Sequence, residues 1–537
     1  QRYHRSCYGW KTMQADTPVN LIKISVAGND RTNLSFFNAE LDGLYSERAT
    51  LQDLVTKLSQ KTSKLLSMDM FEAVDANLVV SQGKGNHINA ELKLNVKEKG
   101  IPFLKVASYI KTGTTSEIGC ELQGALRNPI GFGEVFKLST VSTQSGAREL
   151  TSSLFLPNVG PQRLDLTVAA KSNLDNQTHF TSLRQQIDSV SVELSTVDRV
   201  HQVVAEYALR DEIPVRCSDP TISNSNNNNK STDSDVTAST SWNPFAAPLF
   251  AASAVTTNTA MASLKTSLKY LGTLLDTRDN TVNPSSGSFL QGSVEIATPP
   301  GSAQFLRTEL NGQHHHKLGP DLMGQPGLVA SVCGSVGVIR PIFQSAINAS
   351  SSTATAIASA HSGAVGSDSR GADDIEHTHG VVHLCDRYQL GGPNSLRGFE
   401  LCGAGPRAYR PEVPLSSKGI IPAHQSTGDA HPTDSLGGDL RSTLLATLSV
   451  PVPVPLLAKS QLRAFTFINL GMISSLSRVS SSAPAFGLGA LRASVGGGFS
   501  LAAAESIRLE TTYAIPILSA PQDQLKKFQI GVGVTIN

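Results

Sequence analysis

The sequence predicts a mainly β chain, a closed antiparallel barrel that crosses a membrane as strands and is preceded by one small α/β domain. Three observations predict it. Of 537 residues, 39% are hydrophobic, 17% are charged and 44 are Gly, and mean hydropathy is −0.09; a soluble helical protein of this length carries more Glu, Lys and Leu in periodic runs. From residue 101 onward, segments of about ten residues recur between Gly, Asn, Asp, Ser or Pro, the cadence of an antiparallel meander. Finally, no run approaches the ~18 apolar residues of a spanning helix, and the longest, 243–253, is interrupted by prolines.

Residues 1–18 read as an unstructured arm, and the chain opens on Gln1 rather than Met, so a processed or truncated N-terminus is expected. A strand is predicted over 19–26, ending at the turn signal Gly28-Asn29. Two amphipathic stretches follow, 35–45 and 50–68. In the second, Thr50 is placed to cap, and Leu51, Leu54, Val55, Leu58, Leu65 and Leu66 recur near helical spacing. Strands over 71–81 and 89–97 complete a β-α-α-β-β order, one small domain spanning 19–100.

Residues 101–537 are assigned to the barrel. Its predicted strands cover 103–111, 116–126, 134–143, 148–156, 163–170, 189–195, 263–275, 288–297, 305–310, 327–338, 438–452, 461–471, 491–501, 506–517 and 527–536. Alternation is clearest at the end, where Phe528, Ile530, Val532, Val534 and Ile536 share one face while Gln529, Gly531, Gly533 and Thr535 share the other, as lipid outside and polar groups inside require. In 461–471 either face is apolar enough to meet lipid, and a soluble sandwich, which also alternates, is the competing architecture. Two low-complexity tracts, near 217–260 and 344–376, read as disordered insertions in aqueous loops.

Forty-five basic against 44 acidic residues leave a net charge of +1, no footprint for nucleic acid. The six cysteines are scattered without a CxxC pair, so neither a zinc site nor a disulfide framework is indicated. His314-His315-His316 is assigned to a solvated loop, because neighbours on a strand face opposite ways and no ligand cluster lies nearby. His377, His379 and His383 with Asp386 form a second local cluster without a full ligand set. No nucleophile-base pair or paired-carboxylate frame is found, so no enzyme activity and no cofactor are expected.

One polar loop, residues 383–400, ends in Leu396-Arg397-Gly398-Phe399. This tetrad resembles the signature loop of the BamA-type outer-membrane assembly barrels, in particular the core subunit of the mitochondrial sorting and assembly machinery. Asp276-Thr277-Arg278-Asp279-Asn280 before a strand ending in Glu295, the stretches 462–471 and 508–516, and the closing 529–537 are similar to later parts of the same family. Gly28, Arg31-Thr32 and 68–75 resemble a single POTRA domain. Residues 529–536 also have the polar-x-Gly-x-x-hydrophobic-x-hydrophobic form of a mitochondrial β-signal.

The resemblance implies a barrel of about 16 strands, in the even-numbered range such barrels occupy, with one POTRA-like domain in the intermembrane space. It implies insertion and folding of unfolded β-barrel precursors into the mitochondrial outer membrane through a lateral seam between the first and last strands. In that reading Arg397 meets polar groups on the barrel's inner wall, with Asn469 and Glu510 as candidate partners, and Gln529, Gly531, Gly533, Val534 and Ile536 line the seam. The expected partners are precursor chains, the lipid bilayer and peripheral receptor subunits. A diffusive porin or a protein-translocating barrel is the alternative.

Overall fold

The computed structural model describes residues 18–44, 49–68, 70–82, 88–100, 102–112, 116–143, 146–196, 198–215, 252–281, 283–322, 325–342, 382–410, 433–452, 462–475, 490–504 and 507–534. The arm over 1–17, most of the 217–260 tract, the whole of 344–376 and the residues Thr535 and Ile536 lie outside them.

The N-terminal domain comprises β1 (Pro18–Ala27), α1 (Leu34–Leu41), β2 (Ala49–Thr50), α2 (Leu51–Ser67), β3 (Phe71–Gln82) and β4 (Ile88–Glu98), with sheet order β2-β1-β4-β3 and β1 parallel to β4. Thr50 caps α2 by accepting a hydrogen bond from the Asp53 amide at 3.1 Å. Leu54, Leu58 and Leu65 on one face of α2 pack with Phe36, Phe37 and Leu41 of α1 over Leu92 and Leu94 of β4. The Arg31-Thr32 pair lies where β1 turns into α1, with both amides and the Thr32 hydroxyl donating to Glu98. Burial works to raise the Glu98 pKa, but the hydrogen bonds from Thr32 and Arg31 outweigh it and hold the carboxyl below its ordinary value.

Among the described residues a single sheet of 16 strands follows. It begins with β5 (Pro102–Thr112), β6 (Ser116–Arg127), β7 (Val135–Thr143), β8 (Arg148–Val159), β9 (Leu164–Asn176) and β10 (Leu183–Ser195). It continues through β11 (His201–Pro214), α3 (Ala254–Thr259) in the connection, β12 (Ser263–Asp276), β13 (Gly287–Ala297), β14 (Phe305–Lys317) and β15 (Val329–Pro341). A two-strand ribbon, β16 (Arg407–Tyr409) and β17 (Thr433–Ser435), belongs to the next loop. The sheet resumes with β18 (Leu440–Pro451), β19 (Leu462–Ser474), β20 (Leu491–Ala504), β21 (Ile507–Leu518) and β22 (Phe528–Val534). Each sheet strand pairs antiparallel with the next, which places β5 and β22 at the two ends of the order among the described residues.

The outer face is apolar, and among the described residues no other layer covers it. Leu104 and Val106 of β5, Tyr207 and Leu209 of β11, Ile515 and Ile517 of β21 and Phe528 and Ile530 of β22 are all exposed, whereas a soluble sandwich buries such a face against a second sheet. The two-sided ambiguity of 461–471 is resolved by what stands inside. Phe465, Phe467 and Asn469 are buried in the interior while Ile468 is 55% exposed outside.

One strand goes unassigned in the sequence, and two sequence expectations are corrected. Turn punctuation does not delimit β11, because Glu206, Arg210 and Glu212 give its inner face the look of a polar loop; inside the barrel Lys265 bonds Glu206 at 2.9 Å and Arg210 bonds Asp386 at 2.7 Å. His314-His315-His316 belongs to β14 rather than to a solvated loop. His315 faces inward and shares a 2.8 Å hydrogen bond with Ser331, a polar wall letting the strand run past the point where an apolar one ends. The end of the 217–260 tract is helical, since Ser253 caps α3 through the Thr256 amide and Asp434 accepts from both the Ser253 amide and the Thr256 hydroxyl.

The two units share a core. Phe36 and Phe37 cluster with Val135 of β7, and Phe155 of β8 packs against the same group. Buried Glu40 accepts from Lys64 at 2.7 Å and from Asn158, at the end of β8, at 2.6 Å, so the domain is held at the start of β7 and the end of β8.

Candidate functional site

The connection between β15 and β18 folds back across the lumen, and residues 382–410 touch both sides of the barrel interior. Its return on itself is set locally. Leu390 bridges Ala404, Gly392 bridges Leu396, and a single 3-10 turn covers Leu384–Asp386.

At its tip Arg397 is 6% exposed. One guanidinium nitrogen donates to Glu510 Oε2 of β21 at 2.7 Å, and Arg508 binds the other oxygen of the same carboxylate at 2.7 Å. The guanidinium carbon also lies 5.1 Å from the Phe467 ring centre and 5.6 Å from that of Phe465. Two inward rings on β19 thus serve as a cation platform. Of the two candidate partners the structure brings Glu510 to Arg397; Asn469 reaches the loop elsewhere, donating to the Ser395 carbonyl at 3.2 Å.

The neighbours of Arg397 are fixed through backbone. Ser494 of β20 donates to the Arg397 carbonyl at 2.6 Å. Gly398 takes φ +88°, a conformation that strains any residue with a side chain, and a Cβ there would press on Ala514 at 3.1 Å. Gln529 of β22 holds the next peptide at both ends: its carbonyl oxygen accepts from the Gly398 amide at 3.0 Å and its amide nitrogen donates to the Phe399 carbonyl at 2.6 Å. Leu396 and Phe399 are fully buried. The β21–β22 turn extends this contact, with Gln524 and Lys526 exchanging backbone hydrogen bonds with residues 398–403.

Two of the seam candidates therefore face the loop. Gln529 clamps it, and Gly531 leaves room for Pro393, whose ring carbon would lie 3.1 Å from a Cβ at 531. The backbone of Gly533 and Val534 pairs with Arg508 and Ile507 of β21; Ile536 lies outside the described residues.

The other end of the loop carries residues that motif reasoning missed. Asp386 bonds Arg210 of β11 at 2.7 Å with both side chains nearly fully buried, and the Cys385 amide donates to Glu212 at 3.2 Å. Tyr388, 1% exposed, stands between Arg307 of β14 and Arg441 of β18, whose guanidinium carbons are 4.6 and 4.9 Å from the ring centre. The sequence signal available was a tyrosine flanked by charge in a loop; its partners lie 81 and 53 positions away, and no local pattern connects them. The Asp276-Arg278 pair closes on itself at 2.8 Å, with the guanidinium 4.2 Å over the Phe289 ring, near the opposite end of β12 and β13. Among the described residues no cluster of three or more His, Cys, Asp or Glu side chains is placed to hold a metal ion.

Known proteins resemble this chain in sequence and in fold. A SAM50-like protein of Drosophila melanogaster is 22% identical over 95% of this chain and 93% of its own length. A SAM50-like protein of Schizosaccharomyces pombe is 27% identical over 51% of this chain, and the match spans 45% of that relative. The sorting assembly machinery 50 kDa subunit of Saccharomyces cerevisiae is 27% identical over 28% of this chain and 27% of its own length. The crystal structure of BamA from Haemophilus ducreyi lacking POTRA domains 1-3 superposes with a TM-score of 0.59 at 15% identity, covering 96% of this chain and 85% of that one. The profile of the Omp85 superfamily domain matches residues 128–536, from the turn between β6 and β7 through the last strand, and this chain belongs to the Omp85 superfamily.

Proposed function

We propose that this chain inserts and folds β-barrel precursors into the mitochondrial outer membrane, and that it does so by parting the sheet between β5 and β22. The observation that carries the reading is the attachment of the lumen-crossing loop to the last strand through Gln529 and Gly531. A diffusive pore can use a lumen loop to set selectivity but has no need to fasten it to its terminal strand, whereas a barrel whose terminal strand must stay in register while its outer partner leaves needs an inner support for that strand. The relatives named as SAM50-like proteins and as a sorting assembly machinery subunit support the same assignment.

The physical drive needs no nucleotide. An unpaired strand edge in hydrocarbon leaves backbone N–H and C=O groups without partners, at several kcal/mol each, so a precursor strand gains by pairing wherever an edge is offered. Residues 19–100 act in this reading as a POTRA domain in the intermembrane space, offering precursors the free edge of its four-stranded sheet by β-augmentation. Peripheral receptor subunits are the further partners that the proposal includes.

Cysteines placed in β5 and β22 and joined by oxidation test the seam. Locked barrels are expected to lose insertion of radiolabelled precursors and to regain it on reduction; full insertion by the locked barrel overturns the seam. Depletion of the protein is expected to lower the steady level of other outer-membrane barrels, and unchanged levels sink the insertase reading itself.

A further inference from the structure

The turn between β6 and β7, residues 128–134, has a construction unlike an ordinary hairpin. Glu134 is 3% exposed and its carboxylate gathers the backbone amides of Ile130, Gly131 and Phe132. Asn128 locks the same loop from the other side, accepting from the Gly133 amide at 2.8 Å and donating to Thr32 of the N-terminal domain at 2.7 Å. With the amides drawn inward to one carboxylate, the side chains of Ile130 and Phe132 are left outside. They are 72% and 55% exposed, unusual values for large apolar groups on so rigid a loop. Leu34, 56% exposed, stands beside them, because the Asn33 amide donates to the Gly131 carbonyl at 2.9 Å.

We propose that Ile130 and Phe132, with Leu34 of α1, form a foot that seats the N-terminal domain in the bilayer leaflet on its own side of the membrane. The occupant is lipid because the patch continues the lipid-facing wall. Leu126 and Phe136 are directly cross-strand partners on the last outward-facing rung of the β6–β7 hairpin and both are exposed on the outer face, with Leu104, Leu122 and Leu138 above them. Two large apolar side chains beyond that rung extend the same surface to the depth where acyl chains meet headgroups. The foot stands one strand away from β5. It therefore fixes the height of the domain next to the proposed seam, and the Asn33 and Thr32 contacts carry that height into α1.

The full chain, reconstituted in phosphatidylcholine vesicles, tests the idea. With Trp10→Phe and Trp242→Phe as background, Phe132→Trp is expected to lose most of its emission when the lipid is replaced by a phosphatidylcholine brominated near the carbonyl end of its chains, and to resist quenching by aqueous iodide. Val55→Trp, on the exposed side of α2, is expected to behave in the opposite way. Ile130→Trp gives an independent reporter, and retained heat-modifiable gel mobility shows that each variant is folded. Iodide quenching of the Phe132→Trp variant equal to that of the Val55→Trp variant overturns the foot. So does shielding of the indole in the Phe132→Trp variant from both quenchers, which would mean that protein rather than lipid covers it.

Discussion

The lumen-crossing loop is held at two ends by different physics. Its tip, Leu396 to Phe399, is fastened mainly through backbone: the Gln529 amide, the Ser494 hydroxyl and the strand-like exchange with residues 524–526 place peptide groups, and the charge of Arg397 is shared between a carboxylate and two rings. Its base, Asp386 to Tyr388, has one backbone bridge, Tyr388 with Gly438 just before β18, and otherwise reaches the wall through side chains, an ion pair to Arg210, Glu212 accepting from the Cys385 amide, and a ring between two guanidinium groups. Backbone clamps fix position to within a peptide unit. Side-chain clamps hold while permitting slight sliding. The difference places the more rigid end against β19–β22, beside the last strand, and the end that relies more on side chains against β11, β14 and β18.

Removing the charge at the tip should have the largest effect. Arg397→Leu leaves Glu510 buried with Arg508 as its remaining partner, and breaking one side of a buried pair costs about 3–5 kcal/mol. The expected result is a lowered urea midpoint in vesicles together with rapid maleimide labelling of Cys402, which is 7% exposed just beyond the tetrad. Labelling is read in chains that keep one cysteine at a time, Cys402 or Cys385, with the others changed to serine. Unchanged labelling would show that the backbone clamps alone hold the tip.

The base should respond to the same operation in a different way. Asp386→Ala strands Arg210, 5% exposed in the wall, and is expected to cost about the same 3–5 kcal/mol, whereas Arg210→Leu combined with Asp386→Leu should recover most of it, since two well-packed apolar groups replace a buried pair at little cost. Arg397→Leu with Glu510→Leu should not recover, because Arg508 then loses its carboxylate and the Phe465 and Phe467 rings lose their cation. Equal recovery at both ends would erase the distinction.

How much of this was legible follows from which partners are local. The apolar alternation that makes β21 and β22 strands is written within each segment, and so are the Thr50 cap and the Gly398 turn. The β11 strand was illegible for the reason that makes it useful. Its inner face pairs charges supplied by Lys265 and Asp386, distant in sequence, and an unpaired Glu206-Arg210-Glu212 series reads as loop. Tyr388 was missed for the same reason. Gln529 and Gly531 were singled out as features of a parting edge, yet the structure turns both inward onto the loop, because a period of two reveals that a residue faces inside without revealing what it meets there.

Gln529 is the smaller test of the rigid end. Gln529→Leu leaves the Gly398 amide and the Phe399 carbonyl without the partners it supplies, about 1–3 kcal/mol for buried groups. It is expected to free Cys402 for labelling while Cys385, at the base, stays protected. Parallel exposure of both thiols would mean that the two ends release together.

The smallest effect is expected at Tyr388. Two guanidinium groups at 4.6 and 4.9 Å from one ring contribute about 0.5–2 kcal/mol each according to how far they are desolvated. The contact depends on the ring face and only secondarily on the hydroxyl, which donates to the Thr308 carbonyl at 3.4 Å and accepts from Arg307 at 3.3 Å. Tyr388→Phe should therefore keep Cys385 protected, and Tyr388→Leu should expose it without changing Cys402. If the phenylalanine variant instead behaves like leucine, the hydroxyl carries the contact, and the base of the loop is held by directional hydrogen bonds as its tip is.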